Sequence, residues 1–316
     1  MGRMTSVDSA PLTAGVRPPR LREDDLVALV SPSGPVPPER LEAGAVILRS
    51  WGLRVRVMPN ALSSHPLHSY LAGDDEGRAM DFCAAWADPD VRAIFCVRGG
   101  YGAQRMIDRV DWSALRDAEP TVLVGYSDVT ALHQAVATQL GVVTLHGPMP
   151  STSDFLDSPA AREHLRTTLF DPESAQVLTH PSVGALVGGA ATGVTTGGCL
   201  SVLATSVATP SALHTARGCI VLLEDCCEKA YRIDSYLTQL RRSGWFEGVA
   251  GVVLGSWADC EPAGPVVADV LGSLGLPILG DLGFGHGEDP ITVPLGVLAE
   301  LDADVGTLTL EVPALA

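Results

Sequence analysis

Lysine is almost absent from this chain: Lys229 is the only one in 316 residues, and arginine supplies the rest of the 21 basic side chains. Against 37 acidic residues this leaves a formal net charge of −16. Phosphate backbones and anionic membranes are bound by clustered cations, so nucleic acid and membrane surfaces are not expected partners. No run of 18 apolar residues occurs, which excludes a transmembrane helix. Residues 1–22 are polar, contain Pro18 and Pro19, and lack the apolar core of a secretory signal, so a cytoplasmic location is expected. The seven cysteines are odd in number and irregularly spaced, and no CxxC pair is present. Neither a disulfide framework nor a structural zinc site is expected from that pattern.

What remains is an ordinary globular composition, 46% hydrophobic, long enough for two domains. Residues 1–22 read as a flexible tail. Residues 23–150 alternate short apolar strands with helical periodicity. Strands are expected at Leu26–Val30, Leu53–Met58, Val91–Val97, Thr121–Val124 and Val142–Leu145. Helices are expected at Pro37–Trp51, Ala72–Trp86, Tyr101–Val110 and Val129–Leu140. That rhythm implies a parallel α/β sheet. Residues 151–182, rich in Ser, Pro and Asp, read as a linker. Residues 183–316 read as a second domain richer in β. Its strands are expected near Cys219–Leu223, Val249–Leu254, Pro277–Leu282 and Thr307–Val312, with one long helix at Ile233–Ser243.

Three places can carry chemistry. In Gly125-Tyr126-Ser127-Asp128 a strand runs into a serine at the start of a helix, as in a nucleophile elbow, though the final Gly of G-x-S-x-G is missing. The same residues also suit a helix cap. Arg98-Gly99-Gly100-Tyr101-Gly102 follows a buried strand and can bring backbone N–H groups close to a ligand, or simply turn the chain. Glu224-Asp225 closes one strand, and His286 sits in a Gly-rich loop after another. His65 and His68 form an HxxH with no carboxylate at helical spacing, which argues against a metal. His133 is a rival base for Ser127, placed where the helix directs it away from the hydroxyl. Cys226 and Cys227 read as free thiols.

Taken in order, these segments resemble the serine LD-carboxypeptidases, the murein tetrapeptide carboxypeptidases, a family that also includes the microcin C immunity peptidases. The resemblance runs from about Asp25 to Val312. It is carried by Tyr70-Leu71-Ala72-Gly73-Asp74 with Arg78, the Arg98–Gly102 loop, Gly125–Asp128 and Gly197-Gly198-Cys199-Leu200-Ser201. It continues through Leu223-Glu224-Asp225 with Glu228-Lys229, Tyr231–Asp234, Gly285-His286 and Pro294-Leu295-Gly296. It implies a flavodoxin-like N-terminal sheet, a smaller β-rich C-terminal domain, an active site in the cleft between them, and a homodimer. It further implies a triad of Ser127 as nucleophile, Glu224 as acid and His286 as base. The backbone N–H groups of Gly100 and Asp128 would form the oxyanion hole, and no metal or organic cofactor would be needed. Cys199 stands where the family usually has Asn. Arg98, Arg232 and Arg78 are candidates for holding a substrate carboxylate, Arg98 equally for a structural ion pair.

The expected activity is removal of the terminal D-alanine from murein tetrapeptides. The alternatives are hydrolysis of peptidyl or aminoacyl nucleotides, and processing of a specialised peptide. Nucleotide-cleaving relatives carry a longer segment with stacking aromatics between Ser and Glu. Here that stretch holds only Phe155 and Phe170, leaving Trp245, Phe246 and Trp257 as the remaining candidates for stacking. An α/β-hydrolase esterase is disfavoured by the missing G-x-S-x-G. A non-enzymatic small-ligand binding protein would leave Ser127 and His286 as ordinary pocket residues.

Overall fold

The computed structural model of the chain describes residues 11–316. The first sheet comprises β1 (Leu26–Val30), β2 (Arg54–Val57), β3 (Val91–Cys96), β4 (Val122–Gly125) and β5 (Thr144–His146). They pair in parallel in the order β2–β1–β3–β4–β5, the flavodoxin order. Every residue of β1, β4 and β5 is buried, as expected for a sheet covered on both faces. Helices Pro38–Ser50, Asp75–Ala87 and Thr130–Gln139 form three of the crossovers. The Asp74 side chain caps the second of these by accepting the Gly77 N–H at 2.7 Å. The helix expected at Tyr101–Val110 is interrupted: a short helix, Ala103–Met106, passes into a 3-10 turn at Ile107–Arg109.

The second sheet takes β6 (Val177–Leu178), β7 (Gly184–Val187), β8 (Ala190–Cys199), β9 (Cys219–Cys226), β10 (Gly251–Ala258) and β11 (Ile278–Gly280). After β12 (Val293–Leu295) come β13 (Leu298–Asp302) and β14 (Thr307–Leu310). The sheet order is β6–β14–β13–β8–β9–β10–β11–β7, with β8 to β11 parallel and the outer strands antiparallel. The second half is therefore β-rich, but helices Leu200–Ser206 and Gly264–Gly272 accompany Ala230–Arg242.

The two halves interlock. β12 leaves the second half and pairs antiparallel with β5, becoming the sixth strand of the first sheet. One buried apolar cluster runs from Val27, Phe95 and Leu145 to Ile220, Leu222, Val253 and Phe284. The stretch expected as a linker is ordered secondary structure, with helices Ser153–Leu156 and Pro159–Phe170. Its Ser/Pro chemistry belongs to helix starts: the Ser158 hydroxyl caps the second helix through the Ala161 N–H at 3.0 Å, and Pro159 occupies the first turn. Phe155, Leu165 and Leu169 drive these helices into the shared cluster.

Residues 11–22 of the expected tail are also held. Val16 bridges Val142, the Gly15 N–H donates to the Gly296 carbonyl at 2.8 Å, and Leu21 is buried. The rest of that tail, residues 1–10, lies outside the described residues. Among the described residues no helix is long and apolar enough to cross a membrane.

Because residues 151–170 belong to the core, Phe155→Ala is expected to cost about 3–5 kcal/mol, the usual range for emptying a buried aromatic site. Urea denaturation measures this, and a loss below about 1 kcal/mol would mark the segment as a passive connection.

Candidate active site

β4 delivers Ser127 to the carboxyl edge of the parallel sheet, where open α/β folds bind their ligands. Tyr126 is extended, and Ser127 then adopts φ +64° before the helix begins. A non-glycine residue in that left-handed region costs about 1–3 kcal/mol and persists only where its surroundings enforce it. The Gly99 backbone lies against the serine: a Cβ on Gly99 would stand 2.8 Å from Ser127 Cβ and 2.9 Å from its Oγ. The loop carrying Gly100 is braced from below. The Gly34 N–H donates to the Gly99 carbonyl at 3.1 Å, and buried Arg78 donates from Nη1 to the Gly102 carbonyl at 2.7 Å while pairing with Asp75. The buried Asp128 carboxylate accepts the Ala103 N–H at 2.8 Å. Burial pushes the Asp128 pKa up, and the hydrogen bond from Ala103 and the Arg78 charge oppose that rise. Its side chain thus ties the serine turn to the glycine loop.

Glu224 lies within the buried run of β9, and its carboxylate is fully buried. Its Oε2 accepts a hydrogen bond from His286 Nδ1 at 2.6 Å and a longer one from the His286 backbone N–H at 3.3 Å. A carboxylate can only accept, so Nδ1 carries the proton and Nε2 of the neutral ring is left as the basic nitrogen. Gly285, at φ +90°, makes this approach possible, because a Cβ there would collide with the Glu224 carboxylate. Burial by itself raises the Glu224 pKa, but attraction to His286 and the facing His146 holds it down at about 2. Burial lowers the His286 pKa, while the Glu224 charge more than reverses this and leaves it raised.

The His286 side chain keeps 18% of its surface exposed, facing a cavity of about 520 Å³. Tyr126 packs edge-on to the His286 ring with centroids 4.8 Å apart. The end of β4 and His286 therefore meet through the residue preceding Ser127. No hydrogen bond joins Ser127 to His286 among the described residues. The cavity wall is acidic, with Asp154, Asp157, Asp259, Glu288 and Asp289 and no Arg or Lys.

Other expected site residues lie elsewhere. Arg98 is exposed and donates to the Pro35 carbonyl at 2.9 Å. Arg232 pairs with Glu228 at 2.6 Å and lies over the Tyr236 ring. Neither lines the His286 cavity. His133 donates from Nε2 to the Gly125 carbonyl at 2.8 Å, and burial lowers its pKa to about 3, so it cannot serve Ser127. His65 stacks on His68, and its Nδ1 accepts the Leu67 and His68 N–H groups at 3.1 Å, closing a turn. Cys199 is buried beside Asp225, 3.4 Å from its Oδ1, rather than at the cavity. Cys226 and Cys227 are free and line the cavity beside His286.

Two residues of the site escaped the sequence reading. Asp154 lies in the presumed linker, and His146 ends a three-residue strand, a position with no periodic or motif signal. His146 Nε2 lies 3.7 Å from Glu224 Oε1.

Residues 27–147 match the family model of the LD-carboxypeptidase N-terminal domain, and residues 192–301 that of the C-terminal domain. A Streptomyces coelicolor protein named as a carboxypeptidase is 57% identical over 95% of this chain and 97% of its own. The chain belongs to the LD-carboxypeptidase family. It is accordingly a peptidase of the serine type, a hydrolase. The murein tetrapeptide carboxypeptidase of Pseudomonas aeruginosa is 30% identical over 89% of this chain and 94% of its own. The structure of MccF in complex with glutamyl sulfamoyl guanosine superposes with a TM-score of 0.86 at 20% identity. That superposition covers 97% of this chain and all of the other, a likeness of fold.

Gly285→Ala is expected to lower this carboxypeptidase's kcat/KM at least about 100-fold, since displacing a catalytic group by an ångström costs that much. The melting temperature should fall as well, because the added Cβ strains a left-handed residue and pushes on a buried carboxylate. A variant of near wild-type activity would show that the Glu224–His286 contact is dispensable.

Proposed function

We propose that the protein is an LD-carboxypeptidase that removes the terminal D-alanine of murein tetrapeptides through a Ser127–Glu224–His286 triad. The observation that carries this reading is the short Glu224–His286 hydrogen bond, with His286 in edge contact with the residue before a strained serine. Neutral His286 takes the Ser127 proton as Oγ attacks the scissile carbonyl. Ionised Glu224 fixes the tautomer and stabilises the imidazolium. The backbone N–H groups of Gly100 and Asp128 receive the developing oxyanion, each such donor being worth about 3 kcal/mol of barrier. His286 then protonates the departing D-alanine amine, and water resolves the acyl-enzyme by the same steps in reverse.

The cavity supports a peptide over a nucleotide. Its acidic wall suits a protonated amine, such as that of the diamino acid in murein peptides, and repels phosphate or sulfamate. Of the two aromatics between Ser127 and Glu224, Phe155 is in the core and Phe170 packs against it beneath Arg166. Trp245 and Phe246 are buried as well, leaving half-buried Trp257 beside an adjoining cavity. A cytoplasmic homodimer completes the reading. Light scattering would give twice the mass of the chain.

The decisive assay is mass spectrometry of four substrates. These are a murein tetrapeptide ending in D-alanine, its C-terminal amide, the all-L diastereomer and an aminoacyl sulfamoyl adenosine. Release of D-alanine from the free acid alone is the expected result. Cleavage of the adenosine compound without the peptide would move the activity to nucleotide hydrolysis. Ser127→Ala should lose more than about a thousand-fold in kcat while remaining folded, and Glu224→Gln should retain more activity than His286→Ala.

The pH profile follows from the raised His286 pKa. Below that pKa the ring is imidazolium and cannot accept the serine proton, so kcat/KM rises with pH. Its midpoint should lie above the ordinary histidine value of about 6.5. The groups facing His286 include Glu224, Cys226, Cys227 and Asp154. Removing the Glu224 charge in Glu224→Gln should move the midpoint to lower pH while depressing the plateau. An unmoved midpoint would contradict the pairing.

A further inference from the structure

The Glu224 carboxylate has one oxygen on His286 and a second, Oε1, with no hydrogen-bond partner among the described residues. A fully buried anionic oxygen left bare is costly and rare. What faces it is the imidazole of His146, itself buried, with neither ring nitrogen bonded among the described residues. At 3.7 Å the Nε2–Oε1 separation exceeds a hydrogen bond, and a shift of well under an ångström closes it.

Other groups around the ring do not compete for that role. Tyr126 and Phe284 offer ring faces and edges at centroid distances of 5.7 and 5.6 Å. His133, 6.3 Å away, has committed its Nε2–H to the Gly125 carbonyl. The placement of His146 gives the contact its consequence. His146 pairs across β4–β5 with Gly125, two residues before Ser127, and the next residue's N–H, that of Gly147, donates to the Gly125 carbonyl at 3.2 Å. The imidazole that reaches the acid is thus mounted beside the strand end that carries the nucleophile.

We propose that His146 is a positioning residue. It donates Nε2–H to Glu224 Oε1, so that Oε2 stays on His286 and the acid–base pair is held in register with Ser127 across the two sheets. The inference rests on the reading of Glu224 and His286 as acid and base.

Steady-state kinetics of His146→Leu and His146→Gln test it. Leucine fills the apolar site without a donor, whereas glutamine returns an N–H near the Nε2 position. His146→Leu is expected to lower kcat about 10- to 100-fold, the usual effect of a hydrogen bond to a charged group, with KM changed less than about three-fold. His146→Gln should recover most of that loss. Wild-type rates in His146→Leu, or equal losses in both folded variants, would overturn the donor role.

Nitrogen-15 NMR of the histidines in the unmodified protein gives an answer independent of whether the variants fold. The His146 proton is expected on Nε2, and a proton on Nδ1 alone would overturn the proposal. A double-mutant cycle separates this inference from the triad itself. If Glu224→Gln leaves kcat intact, the triad reading fails. If Glu224→Gln is crippling but His146→Leu costs the same with or without it, only the positioning role fails.

Discussion

Glu224 is an ionised carboxylate with no exposed surface, and the architecture around it follows from that fact. A buried charge is tolerable only when partners surround it closely. Its partners come from two separate places: His286 and the Gly285 backbone, pressed against the carboxylate, from the loop after β11, and His146 from the end of β5. Two of these partners belong to the second half of the chain and one to the first. The halves therefore cannot be independent bodies, and the pairing of β12 with β5 and the shared apolar cluster fix their relation. An arrangement in which the sheets merely touched would leave the carboxylate half-solvated and the imidazole free to turn.

The same economy appears in the backbone. The strained φ of Ser127, the left-handed Gly285 and the close approach of Gly99 to Ser127 gather at the mouth of the two sheets. Unfavourable local geometry of this kind survives because the surrounding core over-determines it. Here β4 is buried along its full length, Asp128 is tethered to Ala103, and Arg78 pins the glycine loop from below. The polar groups near the serine turn thus hold shape as much as they offer chemistry.

The parts of this design that the sequence announces are those with a strong local signature. The apolar runs of β1, β3 and β4 and the 3.6-residue periods between them state a parallel sheet. The glycine loop and the serine after a buried strand point to the edge where a ligand would sit. Other features were hidden for identifiable reasons. β8 is built from Gly, Ala and Thr because it packs directly against β9 and the helix after Ser127, so it lacks the alternation that marks a strand. The segment 151–182 has the composition of a linker because Ser, Pro and Asp start helices as readily as they fill loops. His146 carries no signal at all: its meaning comes from a carboxylate on another sheet, which no local pattern reports.

The arginines show most clearly how composition misleads about a site. In so acidic a chain, cations are scarce, and a carboxylate-binding pocket is the natural place to look for them. Yet Arg78 is spent on the glycine loop, Arg98 on the Pro35 carbonyl and Arg232 on Glu228, while the wall beside His286 is lined with carboxylates. In the proposed reaction the terminal carboxylate of the substrate would then need backbone N–H groups, which bind anions without a side-chain charge when several converge. The acidic wall favours a protonated amine and disfavours a second anion. An arginine ring attracts either end of any anionic chain, whereas a wall of carboxylates favours only the cationic end of a zwitterionic peptide.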